Sequence, residues 1–386
     1  MLSEGEARQW THVTRRATRR VVRRPFAPGF APIASALPSS YILRMPDVIA
    51  IEALRKVYPA AGPRRRPTVG ARPSGAPPLP SVAQGASSAE GVVALDTLDL
   101  RVRAGEFFGL LGPNGAGKTT TIGILTTRVV PTSGRAVVAG YDVTTAPARV
   151  RQQIGVVPQR PNPDRSLTAL ENLVFHAAYF GVALDRAERH ALELLERLRI
   201  ADKADAKVDA LSGGQQQRLM IARALIHEPA VIFLDEPTVG LDPQARHDLW
   251  DILRDLHAHG RTIVMTTHYM EEADQLCERI AIVDRGRLLA CDTPERLKAS
   301  APGGTLVEVT LDADAAPVVS RALSVAGVVR AEAHGAVLHA YSERGGEAIP
   351  ALIAAAQGDG RTVTNIHLTR PSLESLFISM TGRKLD

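Results

Sequence analysis

The chain has 386 residues, enough for one large domain and a smaller one, and its 45% hydrophobic content can form a buried core. No run of about 18 apolar residues is present, the length a transmembrane helix needs, so we expect a soluble or peripheral protein. The two cysteines, Cys277 and Cys291, exclude a disulfide framework and suit a reducing cytoplasm. We expect both to be small buried hydrophobic residues.

The net charge of +5 comes largely from arginines in the first 66 residues. Residues 1–46 are predicted to be a disordered basic leader, because low hydrophobicity combined with charge cannot support a core. A patch for nucleic acid or a membrane surface, or a transit peptide, are the alternatives. We hypothesise that translation begins at Met45, just before the first strand signal. N-terminal sequencing of the native protein tests this, and a retained Met1 would exclude it.

The remainder is predicted to form two globular parts. Residues 47–298 form the larger part, with a disordered Pro-, Gly-, Ala- and Ser-rich insertion at 60–91 and a helical subdomain at 160–210. The segment 300–304 (SAPGG) is predicted to be a linker. Residues 304–386 are predicted to form a small separate α+β domain.

In the larger part, apolar strand signals alternate with helical spacing, which predicts an α/β fold with a mostly parallel sheet. The predicted strands are 48–54, 106–111, 154–157, 231–234, 262–266 and 280–283. The predicted helices are 191–198, 215–225 and 244–256. Because ligands of such sheets bind beyond the carboxyl ends of the strands, we expect the functional residues there.

The segment GPNGAGKTT follows a predicted strand and opens a helix, and it matches the phosphate-binding pattern G-x-x-x-x-G-K-[ST]. Its glycines let backbone N–H groups surround phosphates, and the helix N-terminus adds a positive dipole end. Lys118 is predicted to contact the β- and γ-phosphates, and the Thr119 hydroxyl to bind Mg²⁺. The nucleotide-binding residues of this segment are Gly112, Pro113, Asn114, Gly115, Ala116, Gly117, Lys118, Thr119 and Thr120.

A second motif, VIFLDEPT, is an apolar strand that ends in two carboxylates. Asp235 is predicted to hold Mg²⁺, as acidic residues at this place do in phosphate-loop ATPases. Glu236 is predicted to be the general base that polarises the attacking water. Solvated acids at a strand end are the alternative, and the phosphate loop favours the functional interpretation.

The third motif, LSGGQQQR, lies directly upstream of VIFLDEPT, and with it the chain resembles the ATP-binding cassette (ABC) ATPases. The resemblance covers residues 48–298 apart from the insertion. It implies a phosphate-loop NTPase core with a mostly parallel sheet, an antiparallel β subdomain and a helical subdomain. It also implies that Ser212, Gly214 and Gln215 contact ATP held by a second copy of the chain.

The same resemblance assigns roles to four further residues. Gln159 resembles the glutamine that contacts Mg²⁺ and water, and His268 resembles the switch histidine at the γ-phosphate. Asp242, in GLDP, resembles the aspartate that crosses the dimer interface. Tyr58 is the candidate for stacking on adenine, although the insertion separates it from the following strand and a structural tyrosine is the alternative.

The tail suggests the order β-α-β-β-α-β-α, which predicts a ferredoxin-like domain with a hairpin turn at His334-Gly335. Its last helix is predicted to begin after Ser372 and to end at Gly382. This tail and the PSLESLF ending resemble the C-terminal domain of bacterial exporter ATPases of the daunorubicin-resistance type.

The resemblance implies an ATPase that needs ATP and Mg²⁺. It implies a head-to-tail dimer with a second copy and a separate membrane permease, at the cytoplasmic face of the plasma membrane. No nucleic-acid partner is expected. The alternative is a soluble ABC ATPase acting on nucleic acid or ribosomes, which a single cassette and the absence of a long coiled coil disfavour.

Overall fold

The structure, a computed structural model, describes residues 47–59, 91–301 and 304–383. The predicted leader and nearly all of the predicted insertion lie outside the described residues, as does part of the predicted linker. In the described ranges, none of the helices combines the length and the apolar character that crossing a lipid bilayer requires.

The strands and helices are numbered in chain order. The strands are β1 (Asp47–Tyr58), β2 (Val92–Arg103), β3 (Phe107–Leu111), β4 (Ser133–Val138), β5 (Tyr141–Asp142), β6 (Ile154–Val157), β7 (Val231–Asp235), β8 (Thr262–Thr267), β9 (Arg279–Asp284), β10 (Arg287–Asp292), β11 (Thr305–Leu311), β12 (Val328–His334), β13 (Val337–Ser342) and β14 (Val363–Thr369). The helices are α1 (Lys118–Leu125), α2 (Pro147–Gln153), α3 (Ala169–Tyr179), α4 (Leu184–Arg197), α5 (Gly213–Leu225), α6 (Pro243–Ala258), α7 (Met270–Leu276), α8 (Pro294–Ala299), α9 (Val319–Leu323), α10 (Ile349–Gly358) and α11 (Leu373–Thr381).

The central sheet has the strand order β10-β9-β3-β8-β7-β6. The strands from β9 to β6 are parallel, and β10 is antiparallel to β9. Every residue of β3, β7 and β8 is buried, as expected for parallel strands covered on both faces. This confirms the predicted α/β class. Because β3, β8, β7 and β6 are neighbours, the segments that follow them lie side by side.

A second, antiparallel sheet has the order β2-β1-β4-β5, and it is the predicted β subdomain. β1 and β2 pair along their lengths, although the insertion lies between them in sequence. Tyr58, at the end of β1, is the Cα partner of Val92, at the start of β2. The chain therefore leaves and re-enters the sheet at paired residues, so the hairpin forms in spite of the insertion.

Helices α3 and α4, which lie in the predicted helical subdomain at 160–210, pack against each other and against α5. A capping box starts α3: the Glu171 N–H donates to Thr168 Oγ1 at 3.2 Å, and the Thr168 N–H donates to Glu171 Oε2 at 2.8 Å. Such a box satisfies two backbone donors that the first helical turn leaves unpaired. Leu173 and Leu195 are fully buried in the core that these helices share with the central sheet.

The tail forms a four-stranded antiparallel sheet in the order β12-β13-β11-β14. With α9 and α10 inserted as predicted, this order is the ferredoxin-like arrangement. The sheet and helices enclose a separate core that includes Val309, Leu338 and Leu352. The hairpin turn lies one residue later than predicted, because His334 still pairs with Val337 and Gly335 adopts a φ of 61°.

The last helix does not belong to the core of the tail. As predicted, Ser372 caps α11 and Gly382, with a φ of 72°, ends it. Its buried side chains Leu373, Leu376 and Phe377 lie in the core of the larger part instead. The predicted boundary at residue 304 would assign α11 to the small domain, whereas its apolar face packs against α7 and α8.

We predict that Phe377→Ala destabilises the ATPase region rather than the tail sheet. Deleting a fully buried phenylalanine costs about 3–5 kcal/mol of unfolding free energy. The fluorescence of Trp250, buried in the same core, reports on that region in a Trp10→Phe background, since the chain has 2 tryptophans. The matched control is Leu352→Ala in the tail core, which should leave the Trp250 transition unchanged. An equal shift by both variants would contradict the packing.

Candidate active site

The predicted functional segments meet at one edge of the central sheet. β3 leads into the phosphate loop at Gly112, and β6 is followed by Gln159. β7 ends at Asp235, and β8 is followed by His268. Because these four strands are parallel neighbours, their carboxyl ends face the same side, where ligands of such sheets bind.

The phosphate loop is held by backbone contacts that only glycine permits. Gly117, the N-cap of α1, has a φ of 102°, in the left-handed region. A Cβ atom there would lie 2.7 Å from the Ala94 carbonyl oxygen and 3.4 Å from Gly286 Cα. The Gly286 N–H in turn donates to the Ala116 carbonyl at 2.9 Å. The loop therefore turns directly into a helix N-terminus, a geometry that binds anions through backbone N–H groups.

The side chains of the loop differ in exposure. Gly112, Pro113, Ala116 and Lys118 are buried, Gly117 and Thr120 are half-buried, and Asn114, Gly115 and Thr119 are exposed. The Thr119 hydroxyl is thus accessible at the start of α1, as a ligand to a bound ion requires.

Lys118 lies with its ammonium group inside the loop. Its Nζ donates to the carbonyl oxygens of Gly112 at 2.6 Å and Pro113 at 3.2 Å, and lies 3.3 Å from Glu236 Oε1. Burial lowers the pKa of Lys118, and the carboxylates of Glu236 and Asp235 oppose that shift. The ammonium is therefore poorly hydrated and strongly attracted to any further negative charge nearby.

Asp235 and Glu236 are held by one residue of the neighbouring strand. Thr266 Oγ1 donates to Asp235 Oδ1 at 2.7 Å and accepts the Glu236 N–H at 3.0 Å. Glu236 has a φ of 49°, which is unusual for a residue other than glycine and turns the chain sharply at the strand end. Strain of this kind persists where the surrounding structure holds it, commonly at active sites.

The Glu236 carboxylate joins the other predicted residues. Gln159 Nε2 donates to Glu236 Oε2 at 2.8 Å, and His268 Nδ1 lies 3.3 Å from Glu236 Oε1. Lys118 contacts the same Oε1 atom. Residues from three other segments thus converge on one buried carboxylate, which can polarise a water molecule placed beside a phosphate bound to the loop.

The LSGGQ turn forms a separate feature. Ser212 caps α5: the Gln215 N–H donates to Ser212 Oγ at 3.3 Å, and the Ser212 N–H donates to Gln215 Oε1 at 3.0 Å. Ser212 and Gly213 are exposed, and Gly214 and Gln215 are half-buried. Among the contacts of the described residues, none joins this turn to the Lys118–Glu236 cluster. Ser212 and Gly213, at the start of the turn, are accessible from outside the chain.

Asp242 and Tyr58 also have visible local roles. Asp242 is exposed and caps α6, because its Oδ1 accepts the Ala245 N–H at 2.9 Å. Tyr58 is 37% exposed, and the Lys56 ammonium lies 5.0 Å from its ring centroid. Its strand partner Val92 is two residues from Ala94, which contacts the phosphate loop. Tyr58 therefore lies at the end of the strand next to the one that approaches the phosphate loop.

Sequence reasoning missed the residues that hold the site together. Thr266 pairs in register with Asp235 across β7 and β8, and Gly286 supports the phosphate loop from the β9–β10 turn. The sequence contained only a weak indication of the role of Thr266. It lies two residues before His268, and residues two apart along a strand have side chains on the same face. The strand register that places Thr266 beside Asp235 is a tertiary feature.

Comparison with known proteins identifies the same family that the sequence motifs resemble. Residues 95–239 match the family described as ABC transporter. The chain is 42% identical over 294 residues to the Nod factor export ATP-binding protein I of Cupriavidus metallidurans, covering 76% of this chain and 94% of that protein. It is 42% identical over 296 residues to the daunorubicin resistance ATP-binding protein DrrA2 of Streptomyces coeruleorubidus, covering 76% and 92%.

A solved structure agrees with the fold. The ATP-binding cassette MJ0796, solved as a dimer in a post-hydrolysis state bound to ADP and Pi, is similar with a TM-score of 0.52 and 27% identity. The alignment covers 64% of this chain and 98% of that one. With its phosphate loop, its LSGGQ turn and its close relatives, the chain belongs to the ATP-hydrolysing, ATP-binding subunits of the ABC transporter family.

Proposed function

We propose that this chain powers export, by coupling ATP binding and hydrolysis to a separate membrane permease at the cytoplasmic face of the plasma membrane. The observation that carries the proposal is the convergence of Lys118, Gln159 and His268 on Glu236 at the sheet edge. The named relatives serve Nod factor export and daunorubicin resistance, which supports the export direction. They give no support to the nucleic-acid alternative, which we do not retain.

In the proposed reaction, water attacks the γ-phosphoryl group of ATP in line with the departing ADP. Lys118 and the N–H groups of the phosphate loop bind the phosphates and stabilise the charge that develops on them. Glu236 accepts hydrogen bonds from the attacking water. Gln159 and His268 orient the Glu236 carboxylate, and His268 also contacts the γ-phosphate.

The donor set at this edge fits Mg²⁺. Asp235 supplies a buried carboxylate and Thr119 an exposed hydroxyl, which are hard oxygen ligands. Gln159 adds a side-chain amide. No group of three or more His, Cys, Asp or Glu side chains with metal-binding geometry occurs among the described residues. Mg²⁺ commonly takes only one or two carboxylates and completes its coordination with phosphate oxygens and water. When bound, it would neutralise charge on the phosphates.

Adenine is proposed to stack on Tyr58. The ring lies at the end of β1, next to the strand that supports the phosphate loop, and is partly exposed. A base–aromatic stack contributes about 1–3 kcal/mol. Tyr58 would therefore strengthen binding of the base of a nucleotide. It would not determine how many phosphates the bound nucleotide carries.

We propose that two copies complete each site. Among the described residues, no contact joins the LSGGQ turn, with Ser212, Gly214 and Gln215, to the Lys118–Glu236 cluster of its own chain. Ser212 is exposed, and so is Asp242 at the start of α6. The similar cassette MJ0796 was solved as a dimer. In a head-to-tail pair, each LSGGQ turn would close over ATP bound by the partner's phosphate loop.

A complementation experiment tests the shared site. Ser212→Asp keeps a side chain that can cap α5 but places a negative charge against the γ-phosphate, so we expect ATPase activity to be lost. Mixed with Lys118→Ala, about half of the dimers should be mixed and carry one intact site, which restores about a quarter of wild-type turnover. The matched control Ser212→Asn caps without the charge and should retain more activity. Lack of recovery in the mixture would exclude shared sites.

The membrane partner is tested separately. Reconstitution with a permease encoded by a neighbouring gene should stimulate ATP hydrolysis and support substrate efflux from cells. Stimulation by DNA or ribosomes and not by the permease would overturn the export proposal.

A further inference from the structure

A buried carboxyl group lies behind the site. Glu272 is completely buried in the first turn of α7, four residues after His268. Its Oε1 atom accepts the indole N–H of Trp250 at 3.3 Å. Burying a carboxyl group costs free energy unless hydrogen bonds compensate for the lost hydration. The neighbours of the Glu272 carboxyl group therefore indicate its role.

The groups around Glu272 belong to the segments that form the active site. Thr267 and Thr238 lie close enough to the Glu272 carboxyl group to oppose the rise in its pKa. Thr267 immediately precedes His268 and accepts the Tyr269 N–H at 2.9 Å. Thr238 follows Glu236 by two residues, and its carbonyl accepts the Leu241 N–H in the turn that leads to Asp242. Glu272 thus lies beside the end of β8 and the loop that follows β7.

This network is incompletely bonded. Glu272 Oε2 and Thr238 Oγ1 are both buried and lack a hydrogen-bond partner among the described residues. Burial raises the pKa of Glu272, whereas Thr267, Thr238, Trp250 and Arg246 oppose the shift. A hydrogen bond from Thr238 Oγ1 to Glu272 Oε2 would satisfy both atoms, which each cost free energy while they remain unpaired.

On the side of the His268 segment, Glu272 borders a cavity. A cavity of about 250 Å³ adjoins the group and is lined in part by Trp250, His268, Tyr269 and Glu374. The Arg246 guanidinium lies 4.8 Å from the Tyr269 ring centroid, so the residue after His268 is also held from α6. The cavity borders both the His268 segment and the last helix, α11.

We propose that Glu272 is a positioning residue that couples the Thr238–Asp242 loop to His268. By accepting the Trp250 N–H from α6 and lying beside Thr267 and Thr238, it sets the position of His268 relative to Glu236. When a partner copy contacts Asp242, Thr238 closes onto Glu272 and His268 is brought into its working position. The inference rests on the proposed roles of His268 and Asp242.

The test compares three single variants by kcat at saturating ATP and by ATP affinity. Glu272→Ala should lower kcat about 10- to 100-fold, the effect of a small misplacement at an active site, and change the ATP Kd less than threefold. Glu272→Gln keeps the size and the acceptor for Trp250, and should retain most activity. The matched control is Glu271→Ala, its exposed neighbour, which should leave kcat unchanged.

A double-mutant cycle with His268→Ala separates positioning from a general loss of stability. If Glu272 acts through His268, then Glu272→Ala should lower kcat little further in the His268→Ala background. Multiplicative losses, with both single variants impaired, would overturn the inference and leave the proposed site intact. Full activity in the single variant His268→Ala would exclude the proposed role of His268. It would also exclude this inference, which depends on that role.

Trp250→Phe provides a second route if Glu272→Ala does not fold. It removes only the indole N–H donor and keeps an aromatic side chain. It should lower kcat with unchanged ATP affinity and show the same dependence on His268. Wild-type kcat in Trp250→Phe would overturn the proposed network.

Discussion

Glu236→Gln is expected to lower ATP turnover by about 10²- to 10⁴-fold, the contribution of a positioned general base. The amide keeps the size of the carboxylate and one acceptor oxygen. It removes the negative charge that polarises water and pairs with Lys118 at 3.3 Å. The chemical step should therefore fail while the phosphate loop remains able to bind nucleotide.

The measurement is single-turnover hydrolysis together with size-exclusion chromatography in ATP. Because ATP would bridge the two copies of the proposed dimer and Glu236→Gln leaves ATP unhydrolysed, the variant should accumulate as an ATP-bound dimer. The exposed Glu193→Gln on α4 is a matched control and should behave as wild type. Near-normal turnover in Glu236→Gln would refute its assignment as general base.

Lys118→Ala is expected to abolish measurable ATP binding under ordinary assay conditions. The ammonium is buried in the phosphate loop, where it is poorly hydrated. Removing one member of a buried charge pair costs about 2–5 kcal/mol, which corresponds to an increase in Kd of about 30- to 5,000-fold. The loss of ATP-binding free energy should exceed the loss caused by removing any single hydrogen-bond donor of the loop.

Isothermal titration calorimetry with ATP checks this prediction, and it separates binding from catalysis. The exposed Lys207→Ala removes a lysine outside the site and should keep wild-type affinity. A thermal unfolding curve for each variant shows whether the protein remains folded. Tight ATP binding by folded Lys118→Ala would exclude the phosphate-loop assignment.

Much of the catalytic core was predictable because its motifs are local. The phosphate loop needs glycines, a lysine and a helix start within nine residues, and the structure has Gly117 as the N-cap and Lys118 as the first residue of α1. The central strands were predicted within one residue at most ends, since parallel strands are continuous apolar runs bounded by polar turns. The predicted roles of the site residues remain predictions for the experiments above.

The sequence by itself determined the nucleotide-binding motifs, the α/β class and the ferredoxin-like tail, since each depends on residue types at short spacing. Only the tertiary structure decided that Thr266 lies beside Asp235, that the buried Glu272 carboxyl accepts the Trp250 N–H, and that α11 packs into the larger part rather than the tail. The spacing of apolar residues in α11 is equally compatible with packing against the tail core and against the core of the larger part. The register of paired strands, and the core against which a helix packs, depend on contacts between residues distant in sequence. Hydrophobic periodicity does not encode these contacts.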